Sequence, residues 1–220
     1  MNDFEVEKKF ELTELIDLSV LGDVVRALSD MLAMQVRIFD QEGHQIFDSG
    51  GEQMFCDLLR TTSVGDRICQ EIKEKLLSQF LSEGSAVQIQ AACGNRYTVF
   101  PIRHQFENLG RVVLGPYKDS AMDQSKLEAL AVKYRIDAPK FLQLHKEMPE
   151  VSPDRLKKTA RFMSRFFDAF VFINAKRLIT SLMHLELIMQ SRDKIFQQME
   201  QESGANPSDK KEIERLKNMF

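Results

Sequence analysis

No tryptophan occurs in the 220 residues, and cysteine appears only three times. Cys56, Cys69 and Cys93 form no CxxC pair, and an odd count leaves one thiol over in any disulfide scaffold. Both facts point to reduced thiols rather than to a secreted, cross-linked domain. An excess of one charge is missing too: 30 Lys and Arg stand against 33 Asp and Glu, for a net charge of -3 and a pI near 5.9. That balance lacks the basic footprint of a nucleic-acid binder. No uncharged run approaches the roughly 18 residues of a membrane span, and the opening MNDFEVEKKFEL has no basic segment followed by an apolar one. The expectation is a cytoplasmic protein with neither a nucleic-acid nor a membrane partner. There is also no Gly-rich phosphate loop, nucleophile elbow or HExxH, so the chain reads as a non-enzyme.

What is present is a chain of 43% hydrophobic residues, enough for one ordinary core and an extension. Its 16 Phe and 11 Met suggest a soft, repackable interior, compatible with a ligand cavity. The stretch Val87 to Tyr117 organises the rest. Val87, Ile89 and Ala91 alternate with Gln88 and Gln90, which is the period of a half-buried strand. After Gly94-Asn95, strand character resumes over Tyr97 to Ile102 and again over Leu109 to Leu114. Connections this short require an antiparallel meander, because parallel strands need a long crossover. Gly110 and Gly115 bracket the last strand, where glycine marks a bulge or a close approach.

Upstream, Leu21, Val24, Val25, Leu28 and Leu32 recur at helical spacing. Gln35 to Phe39 and Gln45 to Phe47 form a hairpin around a turn in which Gly43 supplies positive φ. A helical piece carries Phe55 and Cys56, and a second helix runs from Asp66, its expected cap, to about Leu81. Downstream, two short helices span Met122 to Tyr134 and Ala138 to Glu147. Ser152-Pro153-Asp154 then opens a helix with cap, first-turn proline and acidic residue in order. Phe162, Phe166, Phe170 and Ile173 make one apolar stripe, expected to dock on the domain, and Leu178, Leu182, Leu185 and Met189 continue it. No Gly or Pro interrupts residues 154–203. A helix of that length reaches roughly 75 Å at 1.5 Å per residue, so its distal part needs a partner, most simply the same helix of a second subunit.

With these residues placed, the chain resembles the PocR-type sensory domain, a PAS/GAF-like ligand-binding module of bacterial signalling proteins. FELTELIDLSVLGDVVRALSDMLAMQVRIFDQEG, the Phe55-Cys56 pair, Cys69, the block Cys93 to Gly115, and Met148-Pro149 with Val151-Ser152-Pro153 carry the likeness, over roughly Phe10 to Ile173. It departs at Cys93, which precedes Gly94-Asn95-Arg96 where the family commonly has histidine. The resemblance implies an α+β fold, a PAS/GAF-like antiparallel sheet with covering helices followed by a long C-terminal helix, and a small-molecule pocket between sheet and helices. Such domains are usually fused to a kinase, cyclase or DNA-binding output, and nothing after Ile173 is long enough to be one.

Candidate site residues follow. Tyr97, Phe100, Arg103, Arg111 and Tyr117 in the meander are the ligand-binding candidates, since aromatics line pockets and arginine fixes anionic or carbonyl groups. Strand parity puts Tyr97 and Phe100 on opposite faces. Cys56, Cys69 and Cys93 could hold zinc or an iron–sulfur cluster with His44 or His104 as a fourth ligand. The other reading is three buried thiols packed as small hydrophobes. The expected organisation is an arm over 1–9, the sensory domain over 10–150, a long helix over 151–203 that docks and then dimerises or binds a partner, and a short charged tail over 204–220. The expected function is a cytoplasmic sensor or adaptor, a homodimer that relays a small-molecule signal to a signalling partner. The alternatives are a ligand-free interaction scaffold and a cysteine-bound metal or redox sensor.

Overall fold

The computed structural model describes residues 10–50, 54–81, 85–118 and 122–202, so the expected N-terminal arm and charged tail lie outside the described residues. The elements are α1 (Leu12–Leu15), α2 (Leu18–Leu32), β1 (Val36–Asp40), β2 (Gln45–Asp48), α3 (Met54–Arg60), α4 (Ser63–Ser78), β3 (Val87–Gln90), β4 (Asn95–His104), β5 (Glu107–Lys118), α5 (Gln124–Tyr134), α6 (Ala138–Glu147) and α7 (Pro153–Glu202).

Local chemistry sets these boundaries. Asp17 accepts the Ser19 N–H at the start of α2, and these hydrogen bonds hold its carboxyl below the usual range. In the β1–β2 turn, Asp40 Oδ1 accepts the N–H groups of Glu42 and His44 at 2.9 and 2.8 Å, and Gly43 takes φ +89°. The cap of α4 is Thr62, not Asp66. The extended Thr62 lets its hydroxyl accept the Gly65 N–H at 3.1 Å, while Asp66 already sits inside the first turn and takes Gln70 Nε2 at 2.9 Å. Asp123 and Asp137 cap α5 and α6, and Ser152 Oγ accepts the Arg155 N–H at the start of α7.

The five strands form one antiparallel sheet in the order β2-β1-β5-β4-β3, which is the α+β sheet with covering helices expected from the sequence. β5 is its centre. At Gly110 the close approach is real, since a Cβ there would run into the Phe39 carbonyl oxygen. Register separates the two faces. Arg37, Phe39, Arg111, Val113, Tyr97, Val99 and Ile89 lie on one side, and the main core joins Phe39, Val113, Tyr97, Val99 and Ile89 to residues of α3, α4, α5 and α6. Val36, Ile38, Val112, Leu114, Phe100 and Ile102 lie on the other, where the Phe100 ring meets Phe167 of α7 at 6.4 Å. Tyr97 and Phe100 therefore do face opposite sides.

The docking face of α7 corrects the expectation. Leu156, Ala160, Met163, Phe167 and Val171 are the buried row, while Phe162 and Ile173 are 55% and 56% exposed and Phe166 and Phe170 stack on each other at the margin. Small Ala160 in the buried row lets the helix lie close to the sheet. Counting phenylalanines alone picks out the neighbouring face. The chain divides into two units, Met1–Phe172 and Ile173–Phe220, with the boundary inside α7. In the second unit Leu182, Leu185 and Met189 are exposed. Among the described residues no helix is long and apolar enough to cross a membrane.

Candidate ligand site

The end of the sheet where β1 begins and β2 finishes is built on a polar frame. α2 closes through Ala33 in the left-handed region, with the Met34 N–H bonding the Ser29 carbonyl. Ser29 Oγ donates to the Met34 carbonyl at 2.7 Å and lies 2.8 Å from Ser49 Oγ, which accepts the Val36 N–H at 2.9 Å. Asp48 Oδ1 accepts Gln35 Nε2 at 2.7 Å and the Gly50 N–H at 2.9 Å. Three chain segments are thus pinned to one another by hydrogen bonds.

Beside this frame lies a cavity of about 510 Å³, within the size range of small-molecule sites. Met34, Met54, Phe55, Leu144 and Met148 supply its apolar wall, and Ser29, Ser49, Gln35, Asp30 and Glu147 its polar groups. Gln35 is only 8% exposed, and its Oε1 has no partner, although Nε2 is held by Asp48. A buried acceptor without a donor costs about 1–3 kcal/mol, and this one is closed off within the packing behind the cavity wall. Phe55 is held by Phe141, at 4.8 Å between ring centroids, and by the edge of His145.

Cys56 joins this cavity to the core behind it. It lines the cavity, and the Tyr97 hydroxyl hydrogen-bonds its thiol. Burial pushes the Cys56 thiol up to about 11 and Cys93 up to about 12, and raises Cys69 less deeply buried in α4. Negative charge on any one thiol further disfavours ionising Cys56 and Cys93. Burial also raises the Tyr97 phenol, whose ring carries the Arg37 guanidinium at 5.7 Å from its centroid. Without a bound cation the three thiols are therefore held in their protonated form. Among the described residues the one group of three candidate ligands within 4.8 Å of one another is Asp40, Glu42 and His44, in the exposed β1–β2 turn. The three cysteines form no such group, and His104 packs its ring against Phe10.

The five meander residues are distributed rather than convergent. Tyr97 reaches the cavity through Cys56. Phe100 lies on the α7 face. Tyr117 does not line the cavity but packs behind its Met34 wall with Leu32 and Leu156, with its hydroxyl 2.9 Å from Thr98 Oγ1. Arg103 donates to the Leu81 carbonyl at 2.6 Å, and Arg111 Nη1 to the carbonyls of Leu76 and Gln79 at 2.9 and 3.3 Å. Arg111 thus binds the last turn of α4 and the residue after it, and Arg103 the chain just beyond the helix. The cavity residues Gln35, Ser49, Leu144 and Met148 come from segments far apart in sequence; Gln35, Phe55, Cys56 and Met148 lie in stretches that carry the family likeness, but no local pattern gathers them into one site.

A five-stranded antiparallel sheet in this order, with covering helices, is an α+β fold of the PAS/GAF-like kind. The family model for the sensory domain found in PocR matches residues 14–175, and the chain belongs to that family. No curated protein matches it.

Proposed function

We propose that this chain is a non-enzymatic signalling sensor of the bacterial cytoplasm, which binds a small molecule in the cavity at the β1 end of the sheet and relays its occupancy to a partner protein. The observation that carries this reading is the cavity of about 510 Å³ at the β1 end of the sheet, in a chain whose family is that of a sensory domain. Of the five meander residues, Tyr97 enters the site through its bond to the Cys56 thiol. Exposed Leu182, Leu185, Ile188, Met189 and Met199 supply an apolar surface for a second copy or a signalling partner. Ligand acts by binding one arrangement of the domain more tightly than another, since equal affinity would shift nothing.

Native mass spectrometry of the full chain, purified from its own host without added metal or ligand, tests this. A co-purifying small molecule that is lost on Gln35→Leu substitution is the expected result. A clean apo protein, unchanged in assembly by a metabolite extract, would leave an interaction scaffold instead. A stoichiometric zinc or iron adduct would assign the three cysteines to a metal.

A further inference from the structure

The distal part of α7 carries a stripe that one helix in water cannot satisfy by itself. Leu182, Leu185, Met189, Arg192 and Met199 follow one another at steps of three, four, three and seven, and Ile188 and Ile195 run beside them on one flank. Apart from Arg192 these are apolar side chains, each 36–65% exposed. The other flank is acidic, with Glu186 and Asp193. Arg192 leans to that acidic flank, since its Nε and Nη2 both donate to Asp193 Oδ1, at 3.0 and 2.8 Å.

A parallel, in-register pair sets each residue of the row against its own copy. Arg192 would then face Arg192 inside the apolar seam, and Ile188 of one helix would lie along Asp193 of the other. One is a contact of like charges and the other takes water from a carboxylate without pairing it. Turning one helix end for end removes both. With the midpoint between Gln190 and Ser191, Leu182 meets the partner's Met199, and Ile188 lies along the partner's Ile195. Met189 covers the aliphatic stem of the partner's Arg192. The partner's Glu186 then arrives beside the Arg192–Asp193 pair, on the flank toward which the guanidinium already points.

We infer that the distal part of α7 pairs with a second copy of itself in antiparallel order, its apolar stripe closed against the same stripe and Arg192 held between Asp193 and the partner's Glu186. This rests on that face being an interface, and it commits the face to one of the two occupants proposed above. The pairing is isologous, so it closes at two copies. By symmetry the salt bridge is made twice, once on each side of the midpoint.

Two cysteine variants of the full chain read the orientation. Leu182→Cys and Met199→Cys are prepared separately and by co-expression, then oxidised with copper phenanthroline beside the native chain, whose three free cysteines set the background. In the antiparallel pair the two copies of position 182 lie roughly 26 Å apart along the axis, so each variant alone should give no covalent dimer above that background. The co-expressed pair should give a heterodimer whose intact mass contains one of each. Arg192→Glu should weaken the dimer about tenfold in an ultracentrifugation dilution series, the scale of two partly exposed charge pairs, and adding Glu186→Arg should restore it to within about threefold. Covalent dimers of either cysteine variant alone, or no rescue by the exchanged charges, would overturn the antiparallel order and leave the face as a dimer interface of another geometry. A chain that stays monomeric at every concentration would overturn the second copy and leave the face to a partner protein.

Discussion

Cys56, Cys69 and Cys93 differ in burial, and their chemistry should follow it. Cys69 is half-buried and should react first with iodoacetamide, with Cys56 and Cys93 modified only as the protein opens; mass mapping of a time course checks the order. Because folding raises these thiols from about 9 toward about 11 and 12, the folded state holds its protons more tightly than the unfolded one. The stability this gives is complete below pH 9 and is lost as pH rises through about 11. Urea midpoints should therefore be level from pH 7 to 8.5 and fall above 9, and Cys93→Ala should flatten that fall. Asn95 is a second residue to test. It is wholly buried, and neither of its side-chain polar atoms has a partner. Replacing it with the similarly sized leucine should raise stability by about 1 kcal/mol in urea unfolding, because the unpaired amide is no longer buried.

Among the elements, the hairpin, the meander and the helix order could be read directly from period-2 and helical spacing, because those patterns are local. The α4 cap could not, since Thr62 and Asp66 are both plausible caps and the choice depends on where α3 stops. The docking row of α7 was hidden for a different reason. Helical spacing defines several stripes, and the sheet selected the one with Ala160 in it. Phe167→Ala should cost about 3–5 kcal/mol, whereas Phe162→Ala should stay within about 0.5 kcal/mol; paired urea curves decide between the two faces. Arg111→Met, which removes a cation from two carbonyls at the end of α4, should cost about 2 kcal/mol by the same measurement.

At the scale of the molecule, the family and the sheet were legible in the sequence and the cavity was not. Gln35, Phe55, Cys56 and Met148 fall in stretches that carry the family likeness, but they meet Ser49 and Leu144 only when distant segments close, and no local pattern announces that meeting. If the distal part of α7 joins two copies, Leu182→Asp with Leu185→Asp should halve the mass found by light scattering and leave the sheet's circular dichroism intact. The two arginines of the sheet have a mechanical consequence as well. They tie down the C-terminal end of α4, while its N-terminal half, with Cys69, follows directly after α3 and the cavity wall. Ile68 and Ile72, nearer the start of the same helix, share one core with Phe55 and Cys56, so α4 is a single rigid piece anchored to the sheet at its far end and packed against the cavity wall at its near one.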